Sequence, residues 1–309
     1  MILLILSAIF AAAAAVTLPA RVIYQDANGL VFENIAVRPP TRTLTPIYIF
    51  PNCSSLLGIT EYLPDVYAVV AGDIDFSTFH NAPNSVSIWH IDLTHGVAMA
   101  NQVVRIPETI GFNGLSSVPG FPNLVLAADS VAGAVYEVDM RHGTARIAIT
   151  DESMSLVPDG PFPALGINGL RVHDGWLYYS NSQRGTFMRM PVNVGNGGVE
   201  QAGSAHIIAT VEPWGPSTGH EWDDFTIDGM GRVWVATDPG AVTLLSGESC
   251  GNGTWVQEIV VGDAEGGFTG LTHPTSLKIG RGNAEEEHKV YAVTAGGAVI
   301  TVDMGEHKS

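Results

Sequence analysis

The chain has 309 residues, of which 46% are hydrophobic and only 15% charged, and its 14 Lys and Arg stand against 31 Asp and Glu, a formal charge of −17. So much apolar matter builds a sizeable core and excludes a disordered chain. The acidity, with no basic run anywhere, excludes nucleic acid and anionic membrane surfaces as partners.

Ile2 to Phe10 forms an apolar core and Ala13-Ala14-Ala15 follows as a small-residue cleavage site, so residues 1–15 read as a signal peptide, though without the usual Lys or Arg at its start. The apolar run to Leu18 is shorter than the roughly 20 residues a spanning helix needs, and no later segment is long and apolar enough. Sequons at Asn52 and Asn252 agree with export and mark two glycosylation sites. The chain is therefore expected in the secretory pathway or outside the cell, without stable membrane insertion. The predicted domain spans residues 20–305, and residues 306–309 are a polar tail.

Alternating β-branched runs dominate from there on. Arg21–Tyr24 is a lone strand. Asn34–Val37 begins a first unit, with Ile47–Phe50 behind it and Pro39-Pro40 between. Ile59 opens a second unit, interrupted by a long insertion from Phe76 to Ser85. The third unit reads Leu115–Val118, Leu124–Ala128, Ala134–Val138 and Ala145–Thr150. The fourth reads Leu170–His173, Trp176–Ser180, Thr186–Met190 and His206–Val211. The fifth reads Asp224–Asp228, Arg232–Thr237, Ala241–Leu245 and Thr254–Val261, and the sixth Thr275–Ile279, Lys289–Val293 and Ala298–Val302. Anchored on Ile35, Ile59, Leu115, Leu170, Phe225 and Leu277, the units repeat at steps of 24, 56, 55, 55 and 52 residues.

Four short antiparallel strands in about 50 residues make a propeller blade. The expected fold is all-β: a six-bladed β-propeller, with the N-terminal strand supplying the fourth strand of blade six and closing the ring. Blade one is shortened. The 24-residue step leaves too little chain for four strands, so either the blade is degenerate or the sequence lacks a segment. Cys53 falls in a loop on one face of the ring and Cys250 in a hairpin on the other, in blades that are not neighbours. A bridge needs Cα atoms within about 7 Å, so no disulfide is expected.

Two positions before the anchors stand Glu33, Leu57, Asn113, Asn168, Asp223 and Thr275. In a closed ring these positions meet on one axis. Glu33, Asn113, Asn168 and Asp223 then form a cage of oxygen donors suited to Ca²⁺ or another hard divalent cation. Cys and His are missing from these positions, which argues against zinc. The competing reading is a polar plug that hydrates the channel.

This quartet, in blades one, three, four and five, resembles the metal quartet of the gluconolactonase and regucalcin (senescence marker protein) propellers. Local phrases resemble a secreted fungal branch of that family: Phe32 to Arg38, Gly58-Ile59-Thr60-Glu61, Ile167 to Val172 with Tyr178 to Asn181, and Asp223-Asp224-Phe225. The resemblance covers roughly residues 22–304. It implies one of two chemistries, with no organic cofactor. The first is that of the hetero-Diels–Alderases of tropolone–sesquiterpenoid biosynthesis, which dehydrate a benzylic alcohol to an o-quinone methide and hold it against an alkene. The second is hydrolysis of lactones or esters assisted by a divalent cation. A non-catalytic ligand-binding propeller is the third reading, and the partner in every case is a small molecule met by a monomer.

Around the axis, the loop Glu212 to Trp222 brings His220 as a candidate acid or base beside Asp223, which could itself take a proton. Trp214 and Trp222 are candidates to stack a flat substrate. His273, Asn181 and Arg184 are expected to line the mouth, and the insertion at 76–85 to roof it. Trp89, Trp176 and Trp234 lie in strand patterns and read as core.

Overall fold

The computed structural model describes residues 18–28, 30–38, 47–195, 197–211, 220–247, 255–262, 268 and 270–305. β1 (Ala20–Gln25) precedes everything else. Blade two comprises β2 (Ser55–Leu63), β3 (Val66–Gly72), β6 (Ser87–Asp92) and β7 (Met99–Arg105), with a small hairpin of β4 (Ile74–Asp75) and β5 (His80–Asn81) inside its insertion. Blade three is β8 (Phe112–Val118), β9 (Phe121–Asp129), β10 (Ala134–Asp139) and β11 (Thr144–Thr150). Blade four is β12 (Ile167–His173), β13 (Trp176–Asn181), β14 (Thr186–Gly195) and β16 (His206–Thr210), with β15 (Gly198–Gln201) pairing the far end of β14. Blade five is β17 (Trp222–Ile227), β18 (Val233–Thr237), β19 (Ala241–Ser246) and β20 (Val256–Gly262). In blade six, β21 (Pro274–Ile279), β22 (Lys289–Thr294) and β23 (Ala298–Asp303) are completed by β1, which pairs antiparallel with β23 from Ala20 opposite Val302 to Gln25 opposite Ala298. The closing N-terminal strand is thus as the sequence predicts. Among the described residues, helix is confined to one turn at Ala284–Glu287 (α1) and a 3-10 turn at Glu152–Met154.

The expected sixth blade is a correction. Among the described residues the propeller has five four-stranded blades, and no strand forms in residues 30–38 or 47–54. The shortfall is physical: 24 residues containing Pro39-Pro40, which lack two ladder donors, cannot build four strands. Residues 30–38 and 47–54 instead run between blades six and two as irregular backbone. Phe32 N donates to Thr294 O at 3.2 Å, and Phe32 O accepts from Thr275 Oγ1 at 2.6 Å. At the far end of residues 30–38, Arg38 is bidentate on Asp65 at 2.7 and 3.1 Å. A second ion pair closes the ring directly, between Arg281 of blade six and Glu61 of blade two.

The core lies in the seams between blades. Phe112, Leu115 and Ile88 fill the seam of blades two and three, and Ile167, Leu170, Leu126 and Met154 that of three and four. Phe187, Trp222 and Phe225 fill the next, and Trp234, Leu277 and Ile300 the seam of five and six. The seam beside blade two is thinner: Tyr67, Val69, Ile91 and Leu93 are its buried residues, met by half-buried Ala36, Tyr48 and Phe50.

Candidate active site

The repeated phrase of the sequence is a repeated β-bulge. Every inner strand loses register with its neighbour at the same point: between Leu56 and Ile59, Phe112 and Leu115, Ile167 and Leu170, Trp222 and Phe225, and Pro274 and Ser276. A bulge lifts residues off the ladder and re-aims them, as it commonly does beside active sites. Here the lifted residues are Leu57-Gly58, Asn113-Gly114, Asn168-Gly169, Asp223-Asp224 and Thr275. The glycines are there for contact, since a Cβ on Gly58 would stand 2.5 Å from Asn113 O, and one on Gly114 2.6 Å from Asn168 O. Small residues at this phase let successive inner strands close round a narrow axis.

Blade five places Asp224 where three other blades place glycine or, in blade six, serine. Asp224 is buried and acts as the hub of the axis. Its Oδ2 accepts from Arg171 Nη2 at 2.9 Å, Ser276 Oγ at 2.9 Å and Asn34 Nδ2 at 3.0 Å, and its Oδ1 accepts from Phe225 N at 2.8 Å. Arg171 also donates to the carbonyls of Leu170 and Leu115 at 2.6 and 3.3 Å. Lys278 is near both, and burial, with Arg171 second, lowers its pKa to about 8. This polar plug fills the channel below the mouth. The phase of the repeat had singled out the residue before Asp224 and overlooked this one.

Above the plug, carboxyl groups gather. Asp223 is raised well above the usual carboxylate range by burial and then by Glu33, Glu221, Asp224 and Asp238. Burial lifts Glu33 to about 7, with Asp224 adding to it, and lifts Glu221 to about 8, with Asp238 and Glu33 adding. Asp238 is raised by burial, an effect His273 opposes: His273 Nδ1 lies 2.7 Å from Asp238 Oδ1, and His220 also bears on Asp238. Glu221 O accepts from Asp238 N at 3.0 Å, and Glu221 Oε2 is buried without a hydrogen-bond partner. Glu221 and Asp238 were missed in the sequence because Asp238-Pro239-Gly240 reads as a turn and Glu221 lies outside the repeat.

The structure therefore brings Glu33, Asp223, His220 and His273 to one mouth. Asn168 joins them on the same bulge line: its Nδ2 donates to Ser182 Oγ at 3.0 Å, while its Oδ1 is buried and unpartnered. Asn113 is buried one blade further round. Ser180 Oγ ties β12 to β17 by accepting from Gly169 N at 3.1 Å and donating to Asp223 O at 2.8 Å. Among the described residues no group of three or more His, Cys, Asp or Glu is disposed to hold a metal ion. The chemistry of the quartet still suits a hard cation, since it offers two carboxylates and an orphaned amide oxygen.

Other expected site residues lie elsewhere. Trp222 is fully buried against Phe187 in the seam of blades four and five, with no ring face left for a substrate. Asn181 is fully buried too, donating to the carbonyls of Ser153 and Ser155 at 2.9 and 3.1 Å and accepting from Arg184 N. It brackets a loop rather than facing the mouth. Arg184 donates to Ser155 O at 3.0 Å and lines a cavity of about 460 Å³ on the flank of blade four, with Gln183, Met188 and Ile207. The insertion leans on the next loops of this face, with Asn81 N donating to Ile110 O at 2.7 Å and Phe79 stacked 5.5 Å from Phe162. Trp214, Asn252 and Cys250 lie outside the described residues, as do residues 1–17 and 306–309. Asn52 is exposed in a turn, and nearby Cys53 is half-buried and carries no disulfide among the described residues. No described helix is long and apolar enough to cross a membrane.

No protein-family model matches the chain. Over 326 residues it is 26% identical to a Sarocladium schorii protein named as a hetero-Diels-Alderase, covering 89% of this chain and 77% of that one. A Phoma protein of the same name is 24% identical over 333 residues, covering 93% and 89%. Among solved structures, the Malassezia sympodialis allergen Mala s 1 superposes with a TM-score of 0.55 at 13% identity, over 82% of this chain and 81% of that one, a likeness of fold alone. The resemblance to hetero-Diels–Alderases that the motifs imply is thus found along nearly the whole chain, and the relatives are named as enzymes.

Proposed function

We propose that the chain is a hetero-Diels–Alderase-type cyclase that works on a benzylic alcohol and an alkene. The observation that carries this reading is the gathering of three half-buried carboxyl groups, Glu33, Glu221 and Asp223, at one mouth, where burial and mutual repulsion raise Glu33 to about 7, Glu221 to about 8 and Asp223 well above the usual carboxylate range, in a chain whose relatives are named for this reaction. An o-hydroxybenzyl alcohol loses water when its benzylic C–O bond breaks, its hydroxyl takes up a proton, and its phenol gives one up. A protonated carboxyl is the acid this needs, and a raised carboxyl pKa is how one is kept at neutral pH. The His273–Asp238 pair stands on the same rim to receive the phenol proton. The cycloaddition then forms one C–C and one C–O bond without proton transfer, so holding the two partners together supplies the rate.

The test is direct. The purified chain, with an o-hydroxybenzyl alcohol and a cyclic alkene, should form the dihydropyran adduct faster than buffer does, in the presence of EDTA, and Glu33→Gln should lose most of that gain. No acceleration over buffer, or full activity in Glu33→Gln, would sink the reading.

A second reading has its own observation. Asn168 Oδ1, buried without a partner on the same bulge line as Asp223, suits a hard divalent cation, which it would hold with Glu33, Asn113 and Asp223. When bound, such a cation polarises a carbonyl, the chemistry of a lactonase. Lactone hydrolysis that EDTA abolishes would favour it. We also propose export, supported by the apolar N-terminus and by Asn52 exposed in a turn, and a mass shift on treatment of the secreted protein with a glycosidase would test it.

A further inference from the structure

The seam between blades three and four is open at its outer end. A cavity of about 460 Å³ lies there, within the size range of small-molecule sites. Met188 on β14 and Ile207, directly across from it on β16, give it apolar walls from blade four. Val157 and Pro161 give it apolar walls from the loop that joins the two blades. Ile207 is 63% exposed, a large apolar side chain left open on the outermost strand of its blade.

The neutral polar groups of this cavity are already spent. Gln183 Oε1 accepts from Val157 N at 2.7 Å, and its Nε2 donates to Pro161 O at 2.8 Å. Ser153 Oγ donates to Asp151 Oδ1 at 2.6 Å and so accepts from the Tyr179 hydroxyl at 2.6 Å. Thr186 Oγ1 is sealed from solvent. These bonds, with those of Asn181, hold the loop against the β13–β14 turn and fix the shape of the cavity.

Arg184 is what remains. The Asn181 side chain accepts from its backbone N–H, and its Nε donates to Ser155 O at 3.0 Å, so the guanidinium is held in place. No carboxylate pairs with it among the described residues. Its Nη groups have no partner there, and they are not among the polar atoms sealed from solvent. No acidic residue lines the cavity. The negative charge of the rest of the chain is screened beyond about 10 Å at 0.1 M salt.

We propose that this cavity is a second binding site, which takes a small aliphatic carboxylate. The carboxylate meets the Nη edge of Arg184, and the chain lies along Val157, Pro161, Met188 and Ile207. A guanidinium edge matches the two oxygens of a carboxylate, and such charge-assisted hydrogen bonds are stronger than neutral ones. The tail is aliphatic because no aromatic ring lines the walls. The site goes beyond the cyclase reading and does not depend on it, since it shares no residue with the mouth of Glu33, Glu221 and Asp223.

The test is calorimetric titration of the full-length chain with octanoate, 1-octanol and acetate. We expect one saturable site for octanoate, with 1-octanol at least fivefold weaker for want of the charge and acetate at least tenfold weaker for want of the chain. Arg184→Gln should bring octanoate down to the affinity of 1-octanol. Arg141→Gln removes the same charge from an exposed hairpin and should leave octanoate unchanged. Ile207→Glu changes an exposed position, so the fold is kept, and it sets a carboxylate in the wall. It should weaken octanoate at least tenfold and 1-octanol less. Absence of saturable binding, 1-octanol matching octanoate, equal losses in the two arginine variants, or an affinity unmoved by both Arg184→Gln and Ile207→Glu would each overturn the proposal.

Discussion

Arg171 Nη2 lies 2.9 Å from Asp224 Oδ2, so an ion pair between the inner strands of blades four and five closes the axial channel one residue along from Asp223. Adjacent aspartates on one bulge thus do different work. Asp224 has donors on both oxygens, Arg171 with two neutral groups on Oδ2 and the Phe225 N–H on Oδ1, and is structural. Asp223 is surrounded by other carboxyl groups and belongs to the mouth.

Removing one partner of that buried pair should be costly. Arg171→Met leaves Asp224 charged and short of a donor, so urea denaturation should report a loss of roughly 3–5 kcal/mol. Replacing both, in Arg171→Met with Asp224→Asn, should cost clearly less than the sum of the single variants. Additive losses would mean that the pair does not interact in solution.

The mouth makes stability depend on pH. A carboxyl whose folded pKa is raised favours the folded state below its unfolded value and loses that contribution as pH rises through the folded one. For Glu33 the window runs from about 4.5 to about 7. With EDTA present, the melting temperature should therefore fall between pH 5 and pH 8. Glu33→Gln should flatten that fall, by an amount on the order of 1–3 kcal/mol. An unchanged slope would mean that Glu33 is solvated.

The same repulsion predicts a cation response. At pH 8 millimolar Ca²⁺ should raise the melting temperature, because the ion binds the folded state and offsets the clustered charge. At pH 5, where the groups are protonated, the rise should be small. Asp223→Asn should abolish it at both pH values. A rise that survives in Asp223→Asn would place the ion elsewhere.

Gly169 tests the narrow axis. A Cβ there would come 2.8 Å from Asp224 Cα, while one on Gly229 would meet nothing. Gly169→Ala should lose about 1–3 kcal/mol or more by overpacking, and Gly229→Ala should be near neutral by the same thermal melt. Equal effects would rule out close approach of the inner strands.

The repeat was readable along the chain because each blade spends the same short phrase on the same local event, a bulge at the start of its inner strand. The period was therefore enough to predict a propeller and to put Glu33, Asn113, Asn168 and Asp223 at one phase of it, and the missing fourth strand of blade six predicted the closing role of Arg21–Tyr24. Four features needed the folded chain. Trp222 reads as a surface aromatic beside a charged residue, but the strand's alternation turns it into a seam. Asn181 reads as a polar turn residue, but three hydrogen bonds consume it. Asp238 and Glu221 carry no signal of their own, because the meaning of Glu221 comes from Glu33, 188 residues earlier in sequence, and that of Asp238 from His273 across a blade boundary. The fate of blade one is the fourth. A 24-residue step announces that something is missing, but a count of residues cannot say whether the ring closes over the loss. Tertiary contacts decided that, through the Arg281–Glu61 and Arg38–Asp65 pairs, since closure depends on groups that meet in space and not on their order along the chain.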